Sequence, residues 1–380
     1  MHFSAYPLLA TAAIITVGQA LSITLNVNVD NKIQMMDGFG VSQALRKALN
    51  IERLPAQESA EVLDLLISQT IGAGLSIYRN GLGSSPDSSN GQMNSIQPLD
   101  PGGLDATPEY LTHDSVMASL GLPGLEMSVC QVSDPLAGFY ATMIQNGIEA
   151  SELIKIFKST MINENLANVS LICCDAVGWK QQDKDYNAFL RSLPTADFAT
   201  SKQVWVSDWA DLSGNWTTEW DSQSGGEGDG IYLAGLIHNS IALGRVSAFI
   251  YGIGAEAGGV NTKLFSVDGP THESSKRLWA MAHYSRAARP GAERVEVTGG
   301  NLKTTAYQNT DGMVSVVALN NGTSARTTSI RFTGFTGETV QAYITNTAKR
   351  FDLLNASINS AGDVTATIPA QSIETFMLSA

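Results

Sequence analysis

The chain has 380 residues, of which 43% are hydrophobic and 16% charged, and its formal net charge is -13. This length predicts one large and one small domain, and the hydrophobic content is sufficient for a buried core. The negative charge argues against nucleic acid as a partner, because phosphates attract Lys and Arg, and is compatible with a neutral polymer or small neutral substrate.

The first residues have the pattern of a secretion signal. A short, nearly uncharged start precedes the apolar run 7–17, and Gly18-Gln19-Ala20 places small residues where a signal peptidase cuts. The alternative is a buried N-terminal helix. A transmembrane helix is excluded, because the apolar run is too short to span a bilayer. We predict a signal peptide over 1–20, a secreted extracellular protein, and no membrane association after signal removal. Four Asn-x-Ser/Thr triplets agree with export: Asn168, Asn215, Asn321 and Asn355.

The three cysteines are too few for a disulfide scaffold. One bridge is possible among Cys130, Cys173 and Cys174, although adjacent cysteines rarely pair because the backbone is strained. Their predicted role is packing in a buried strand. The sequence has no C-x-x-C or H-x-x-x-H spacing, so neither a metal site nor a cofactor is predicted.

The first half of the chain alternates strands and helices. Alternating apolar residues predict a half-buried strand over 21–33, followed by a short buried strand over 35–40 that ends in a glycine turn. Apolar spacing of three and four predicts a helix over 54–70, and 75–79 is a second buried strand. This succession is typical of a βαβ unit. Residues 80–109 are rich in Gly, Ser, Asn, Pro and Asp, which predicts a loop.

The same alternation continues as far as residue 289. Further strands are predicted over 126–132, 169–175, 203–208 and 246–251. Further helices are predicted over 149–161, 186–193, 230–243 and 275–288. Together with 35–40 and 75–79, these strands give about six that suit a buried parallel sheet.

The hydrophobicity pattern of the sequence changes after Arg289-Pro290. Short alternating strands separated by turns such as Thr310-Asp311-Gly312 predict an antiparallel β-sandwich. The strand over 21–33 is predicted to join it, because an alternating surface does not suit the centre of a barrel. The predicted domains are therefore 34–289, and a sandwich of 21–33 plus 290–380.

Five motifs occur in a fixed order along the chain. They are Met36-Asp-Gly-Phe-Gly40, Gly72-Ala-Gly-Leu-Ser-Ile-Tyr-Arg79, Ile172-Cys-Cys-Asp-Ala-Val-Gly-Trp179, Val204-Trp-Val-Ser-Asp-Trp209 and Ser274-Ser-Lys-Arg-Leu-Trp-Ala280. In this order they resemble strands one, two, five and seven and the last helix of glycoside hydrolase family 30. The similarity is to its secreted enzymes that cut xylan or β-1,6-galactan inside the chain. It implies an α/β fold, a (β/α)8-type TIM barrel with a C-terminal β-sandwich, that acts as a monomer on a polysaccharide or oligosaccharide.

The resemblance also implies a retaining mechanism with two carboxyl groups. It places Asp208 at the nucleophile position, where the family has Glu, and assigns to Arg79 the hydrogen bond that keeps this carboxylate ionised. The family's acid/base lies in an Asn-Glu-Pro motif. With a one-residue slip, Asp134 takes the acid/base position; without it, Ser133 stands there and no acid remains. Glu219 is a further candidate nucleophile.

The chain departs from the family at the predicted site. The Asp208 side chain is one methylene shorter than Glu, and misplacement by about 1 Å can cost on the order of 100-fold in rate. Gly252 follows Tyr251 where the family has a tryptophan platform for the sugar. We assign substrate binding to Trp179, Trp209 and Tyr251, and regard Trp205, Trp216 and Trp220 as further candidate platforms.

Two barrel segments are not recognisable, so we expect an incomplete or strongly rebuilt barrel. A defective gene model is one cause that the sequence leaves open. Two functions from different classes follow. One is a secreted retaining endo-glycoside hydrolase acting on plant cell-wall polysaccharide, xylan or β-1,6-galactan, with impaired activity. The other is a catalytically inactive carbohydrate-binding relative or a truncated gene product.

Overall fold

The computed structural model describes residues 21–44, 47–79, 204–212, 214–222, 226 and 228–380. The strands predicted over 126–132 and 169–175, and the helices predicted over 149–161 and 186–193, lie outside these residues. The described residues form a parallel sheet, a small three-stranded sheet, a ten-stranded sheet and the helices between them.

The parallel sheet has four strands. They are β2 (Gly38–Ser42), β3 (Ile77–Arg79), β4 (Val204–Trp209) and β5 (Val246–Tyr251). Their order is β3-β2-β5-β4, so the first of them in the chain lies between the second and the last. This is how a barrel closes, because its last strand returns to pair with its first.

The two faces of this sheet carry different side chains. Ile77, Ala248 and Ile250 form one small cluster, against which Trp205 packs. Their neighbours Tyr78, Phe249 and Tyr251 belong to the large core that includes the helices. The first face is therefore the barrel interior, and the second is the layer between strands and helices.

Four helices lie in the described residues. They are α1 (Ala48–Glu52), α2 (Ala56–Ile67), α3 (Gly230–Ala242) and α4 (Lys276–Ala287). Helix α2 follows Pro55 and buries Val62 and Leu66, four residues apart on one face. Helix α4 is buried along nearly all its length, because it packs between β2 of the barrel and the strands of the sandwich.

The glycine turn predicted at Gly40 is wrong. Strand β2 runs on through this residue to Ser42. A side chain at Gly40 would collide with the backbone of Ile77 on the neighbouring strand. The glycine therefore permits a close approach of two strands and does not end one.

A small sheet after β5 was not predicted. It consists of β6 (Ile253–Glu256), β7 (Lys263–Asp268) and β8 (Thr271–Ser274). Strand β7 lies in the middle, parallel to β6 and antiparallel to β8. The segment follows the carboxyl end of a barrel strand, where βα loops build active sites.

The ten-stranded sheet contains the first strand and the C-terminal ones. These are β1 (Leu21–Met35), β9 (Glu293–Thr298), β10 (Lys303–Gln308), β11 (Val314–Asn320), β12 (Arg326–Thr333), β13 (Thr339–Thr345), β14 (Asp352–Leu354), β15 (Ser357–Ile358), β16 (Val364–Ile368) and β17 (Ser372–Ser379). The order is β14-β13-β17-β11-β10-β9-β1-β12-β16-β15. Ala342 near one end and Val364 near the other share one core. The sheet therefore folds over itself into two layers.

Helix α4 ties the barrel to the sandwich. The Arg286 guanidinium carbon lies 4.9 Å from the ring centre of Tyr343 and 4.4 Å from that of Phe351. His283 bonds to Thr375 through Nδ1 at 2.7 Å and to Thr345 through Nε2 at 2.9 Å. Burial lowers the pKa of His283 well below its usual range, so its ring is neutral and gives one donor and one acceptor.

Candidate active site

The carboxyl ends of the parallel strands bring two of the predicted site residues together. Arg79 is the last residue of β3, and Asp208 is the penultimate residue of β4. Strands of a parallel sheet end at the same edge, although β2 and β5 lie between these two. A long side chain from β3 therefore has to cross this edge to meet Asp208.

That contact is made. The Arg79 Nη1 donates a hydrogen bond to Asp208 Oδ2 at 2.7 Å. The arginine side chain is 7% exposed, whereas that of the aspartate is 41% exposed. A buried guanidinium thus holds a carboxylate whose other side is open to solvent, and such charge-assisted bonds fix the position of the acceptor. Arg79 Nη1 also lies 3.4 Å from Ser42 Oγ at the end of β2.

A β-bulge sets the direction of the Asp208 side chain. Val206 pairs with Phe249 and Trp209 pairs with Tyr251, so two residues of β4 lie opposite one residue of β5. Bulges turn a side chain away from the regular alternation and are common beside active sites. Here Val206 and Trp209 both belong to the core under the helices, and the bulge lies between them.

The substrate-binding role predicted for Trp209 and Tyr251 is wrong in this structure. Trp209 is 1% exposed and Tyr251 is 0% exposed, and their rings pack edge to face at 5.4 Å. Both side chains belong to the layer between strands and helices, so neither offers a ring face to a sugar. Burial raises the pKa of Tyr251, and its hydroxyl donates to the backbone oxygen of Asn261 at 3.2 Å.

Gly252 packs directly against the candidate nucleophile. Its backbone nitrogen donates to Trp209 O at 2.6 Å. A Cβ at this position would lie 2.7 Å from Ala210 Cβ and 3.1 Å from Asp208 Oδ1. The first distance is shorter than carbon atoms tolerate, so this backbone arrangement has no room for a side chain at residue 252.

We therefore expect Gly252→Ala to lower both stability and any activity. Overpacking costs about 1–3 kcal/mol, and displacement of Asp208 by about 1 Å costs on the order of 100-fold in rate. Thermal unfolding and polysaccharide hydrolysis measure the two effects. Gly259→Ala is the matched control, because a Cβ there meets nothing within 4 Å. Unchanged melting and turnover in Gly252→Ala would contradict the packing described.

A buried polar network holds the loop after β4, and sequence analysis missed it. Asp211 is 4% exposed and Asn261 is 1% exposed. Asn261 Nδ2 donates to Asp211 Oδ2 at 3.0 Å, and the backbone nitrogen of Gly214 donates to Asp211 Oδ1 at 3.1 Å. The run Asp211-Leu-Ser-Gly214 carries the local signal, because Asp at the start of a tight turn accepts from the backbone.

Trp216 and Trp205 are the described candidate sugar platforms that remain partly exposed, and Trp216 lies on the loop after β4. Its Nε1 donates to Glu273 Oε2 at 2.9 Å, and its backbone nitrogen donates to Gly259 O. Lys263 Nζ and the Arg277 guanidinium carbon lie 5.4 Å and 5.3 Å from its ring centre.

The other two candidate platforms lie elsewhere. Trp220 is fully buried, and Trp205 Nε1 donates to Asp37 Oδ2 at the amino end of the barrel strands.

Two of the remaining predicted residues, Asp134 and Trp179, are not placed by the structure. Asp134 and Trp179 lie outside the described residues, as do the three cysteines and the loop 80–109. Glu219 is exposed, on the loop after β4.

Within the described ranges, no three His, Cys, Asp or Glu side chains are grouped as metal ligands. No described helix is both long and apolar enough to cross a membrane.

Comparisons with known proteins find relatives of one glycoside hydrolase family. Residues 291–376 match the model of the glycosyl hydrolase family 30 β-sandwich domain. The glucuronoxylanase XynC of Bacillus subtilis (strain 168) is 22% identical over 240 residues, which are 60% of this chain and 51% of that protein. The chain thus spans about half the length of this curated relative.

Solved structures match over a longer range. The catalytic domain of GH30 xylanase C from Talaromyces cellulolyticus is 26% identical, with a TM-score of 0.74, and the match covers 94% of this chain and 100% of that one. A GH30 endoxylanase from Clostridium papyrosolvens C71 is 18% identical, with a TM-score of 0.58 and coverage of 94% and 100%. The predicted fold class, a TIM-type barrel with a C-terminal β-sandwich, is confirmed. The sandwich match, the curated relative and the xylanase structure that is 26% identical all make this chain similar to proteins of glycoside hydrolase family 30.

Proposed function

We propose that this protein is a secreted, monomeric, retaining endo-glycoside hydrolase that acts on plant cell-wall polysaccharide. The observation that carries the proposal is the 2.7 Å hydrogen bond from Arg79 to Asp208 at the carboxyl edge of the barrel strands. A half-exposed carboxylate held by a buried cation is suited to attack an anomeric carbon. The similarity of the chain to a family of glycosidases supports the same reaction.

In this mechanism Asp208 forms a bond to the anomeric carbon while the bond to the leaving oxygen breaks. A second carboxyl group protonates that oxygen, and we assign this role to Asp134. The same group then takes a proton from the water that hydrolyses the glycosyl-enzyme ester. Arg79 keeps Asp208 oriented in both steps, because its guanidinium is fixed by burial.

Xylan is the substrate that we favour over β-1,6-galactan. The curated relative is a glucuronoxylanase, and the structure that agrees at 26% identity is a xylanase. Reduced activity is part of the proposal, because Asp208 is shorter than the family's Glu and Gly252 supplies no platform. The partly exposed ring of Trp216 is the described residue that best suits a substitute platform.

Purified protein is expected to release oligosaccharides from glucuronoxylan faster than from β-1,6-galactan. Proton NMR of the newly formed reducing ends is expected to show the same anomer as the bond that was cut, because two displacements at one carbon restore its configuration. Absence of release from either polymer, by protein with a cooperative unfolding transition, would contradict the proposal. Release of the opposite anomer would contradict the retaining mechanism alone.

One observation favours a second candidate function, a carbohydrate-binding relative without catalysis. Trp209, Tyr251 and Gly252 offer no sugar platform beside Asp208, so the cleft has lost contacts that a hydrolase uses. Such a protein would bind xylan in affinity electrophoresis and leave its chain length unchanged. Asp208→Asn would then not alter binding, whereas in the hydrolase it abolishes turnover.

A further inference from the structure

A cavity separates the barrel from the sandwich on the side of α3. Its volume is about 700 Å³, within the roughly 300–1,000 Å³ typical of ligand sites. Leu236 of α3 and Leu319 of β11 lie in its wall and are buried, whereas Tyr232 and Lys303 contribute polar groups. We call this cavity the α3 groove. None of its lining residues belongs to the site around Asp208.

The turn between β11 and β12 borders the α3 groove and is held by Asn320. This side chain is 2% exposed, and its Nδ2 donates to the backbone oxygens of Ser324 at 3.0 Å and Pro369 at 2.8 Å. Its Oδ1 accepts from the nitrogen of Gly322 at 3.1 Å. These bonds fix the turn, and the burial of Asn320 keeps its side chain away from a ligand.

The next residue, Asn321, is in the opposite situation. It is exposed, and only its backbone oxygen is engaged, by Gln371 Nε2 at 2.9 Å. Within the described part of the chain its side-chain amide has no hydrogen-bond partner. Asn321-Gly322-Thr323 is an acceptor triplet for N-glycosylation, and both Asn321 and the exposed Thr323 line the α3 groove.

We propose that Asn321 carries an N-linked glycan whose first sugars lie in the α3 groove. The inference rests on the proposed secretion and is independent of hydrolysis. In the transfer step, Asn321 Nδ2 loses one proton and forms a bond to the anomeric carbon of an N-acetylglucosamine. The bond from that carbon to a lipid-linked diphosphate breaks, and the lipid diphosphate leaves.

The lining suits a saccharide in two respects. The partly exposed Tyr232 ring can pack against the apolar face of a sugar, and the Lys303 ammonium can donate to its hydroxyls. Lys303 Nζ already donates to Asn239 Oδ1 at 3.2 Å, which is a polar contact between helix α3 and the sandwich across the α3 groove. A glycan fixed at Asn321 would add a second bridge to α3 and would stabilise the contact between the two domains.

The other described acceptor triplets, at Asn215 and Asn355, do not line the α3 groove. Asn355 lies on the exposed connection between β14 and β15 and does not line the α3 groove. Asn215 forms an isolated bridge with Val260 on the loop after β4. A glycan at Asn355 would therefore extend into solvent, which makes Asn355→Gln the matched control.

The test is expression of the full chain, with its own N-terminus, in a eukaryotic secreting host. We expect the mass of the secreted protein to fall by one glycan in Asn321→Gln and equally in Thr323→Ala, which leaves Asn321 in place. Both variants, and enzymatic removal of the glycan, are expected to lower Tm by roughly 2–4 °C. Asn355→Gln is expected to leave Tm unchanged, whether or not its mass falls.

A double-mutant cycle locates the glycan. Tyr232→Ala is expected to lower Tm more in the glycosylated protein than in the Asn321→Gln background, because the ring then loses its contact with the sugar. Failure of secretion, or no mass change in either Asn321→Gln or Thr323→Ala, would overturn the proposal. Additive effects of Tyr232→Ala and Asn321→Gln would overturn the docking. A glycosylated protein without hydrolase activity would contradict the proposed function and leave this inference intact.

Discussion

Asp208→Asn is expected to lower the turnover number on glucuronoxylan by about 10⁴-fold or more, the scale of removing a catalytic nucleophile. An amide keeps the shape of the side chain and can still accept the hydrogen bond from Arg79, but it cannot form the glycosyl ester. The fold should therefore survive while turnover is lost. Reducing-sugar release under saturating substrate measures the effect.

The control for this prediction is Asp64→Asn, an exposed carboxylate on α2 that is not part of the site. We expect it to retain full turnover and an unchanged Tm. Asp208→Glu restores the family's side-chain length and is expected to retain turnover well above that of Asp208→Asn. Full turnover in Asp208→Asn would show that another group is the nucleophile, and Glu219 would then be tested in the same way.

The stability of the sandwich is expected to fall between pH 4.5 and pH 8 because of Glu374. This residue of β17 is 0% exposed, and neither carboxyl oxygen has a hydrogen-bond partner within the described residues. It lies opposite Ala318 of β11, on the face that forms the sandwich core. Burial raises the pKa of Glu374 from 4.5 to about 8, and Lys349 acts in the opposite direction.

The direction follows from proton linkage. The folded state holds the proton up to about pH 8, whereas the unfolded state releases it near pH 4.5. Above pH 4.5 unfolding is therefore favoured by up to about 1.4 kcal/mol for each pH unit, until the folded state also ionises. Only below about pH 4.5 is the carboxyl of Glu374 protonated in both the folded and the unfolded state, so only there does its burial not lower stability.

Glu374→Gln is expected to remove this dependence, because an amide does not ionise. At pH 8 the variant should unfold roughly 5–10 °C above the parent protein, and at pH 4 the difference should vanish or reverse. Thermal unfolding followed by circular dichroism across this pH range measures it. Glu338→Gln, at an exposed position, is the matched control and should change neither slope nor Tm. Parallel pH curves for parent and Glu374→Gln would contradict the prediction.

Periodic segments with clear ends were predicted well. The strand expected over 246–251 has those bounds in the structure, and the helix expected over 230–243 ends one residue earlier. Both are apolar runs whose period is unambiguous. The sheet of β6, β7 and β8 was missed because its strands are short and lie in a glycine-rich segment, so that tertiary contacts and not propensity decide their conformation.

The candidate site shows where sequence reasoning fails. The contact between Arg79 and Asp208 was anticipated from family motifs, since no local pattern connects residues 129 positions apart. The aromatic assignments failed because the sequence does not reveal the bulge in β4. Regular alternation would place Trp209 on the face of Trp205, the barrel interior, whereas the extra residue turns it into the core under the helices. Tyr251 follows inward-facing Ile250 and points outward by ordinary alternation.

Attack of Asp208 on the anomeric carbon can be observed by incubating the protein with a 2-deoxy-2-fluoro xylo-oligosaccharide that carries an activated leaving group. The fluorine slows both steps through an oxocarbenium-like transition state, and the leaving group lets the first one proceed, so the ester accumulates. Peptide mass spectrometry is predicted to find one sugar adduct, on Asp208, that is absent from Asp208→Asn. An adduct on another carboxylate, or none in protein that hydrolyses xylan, would contradict the role of Asp208 as nucleophile.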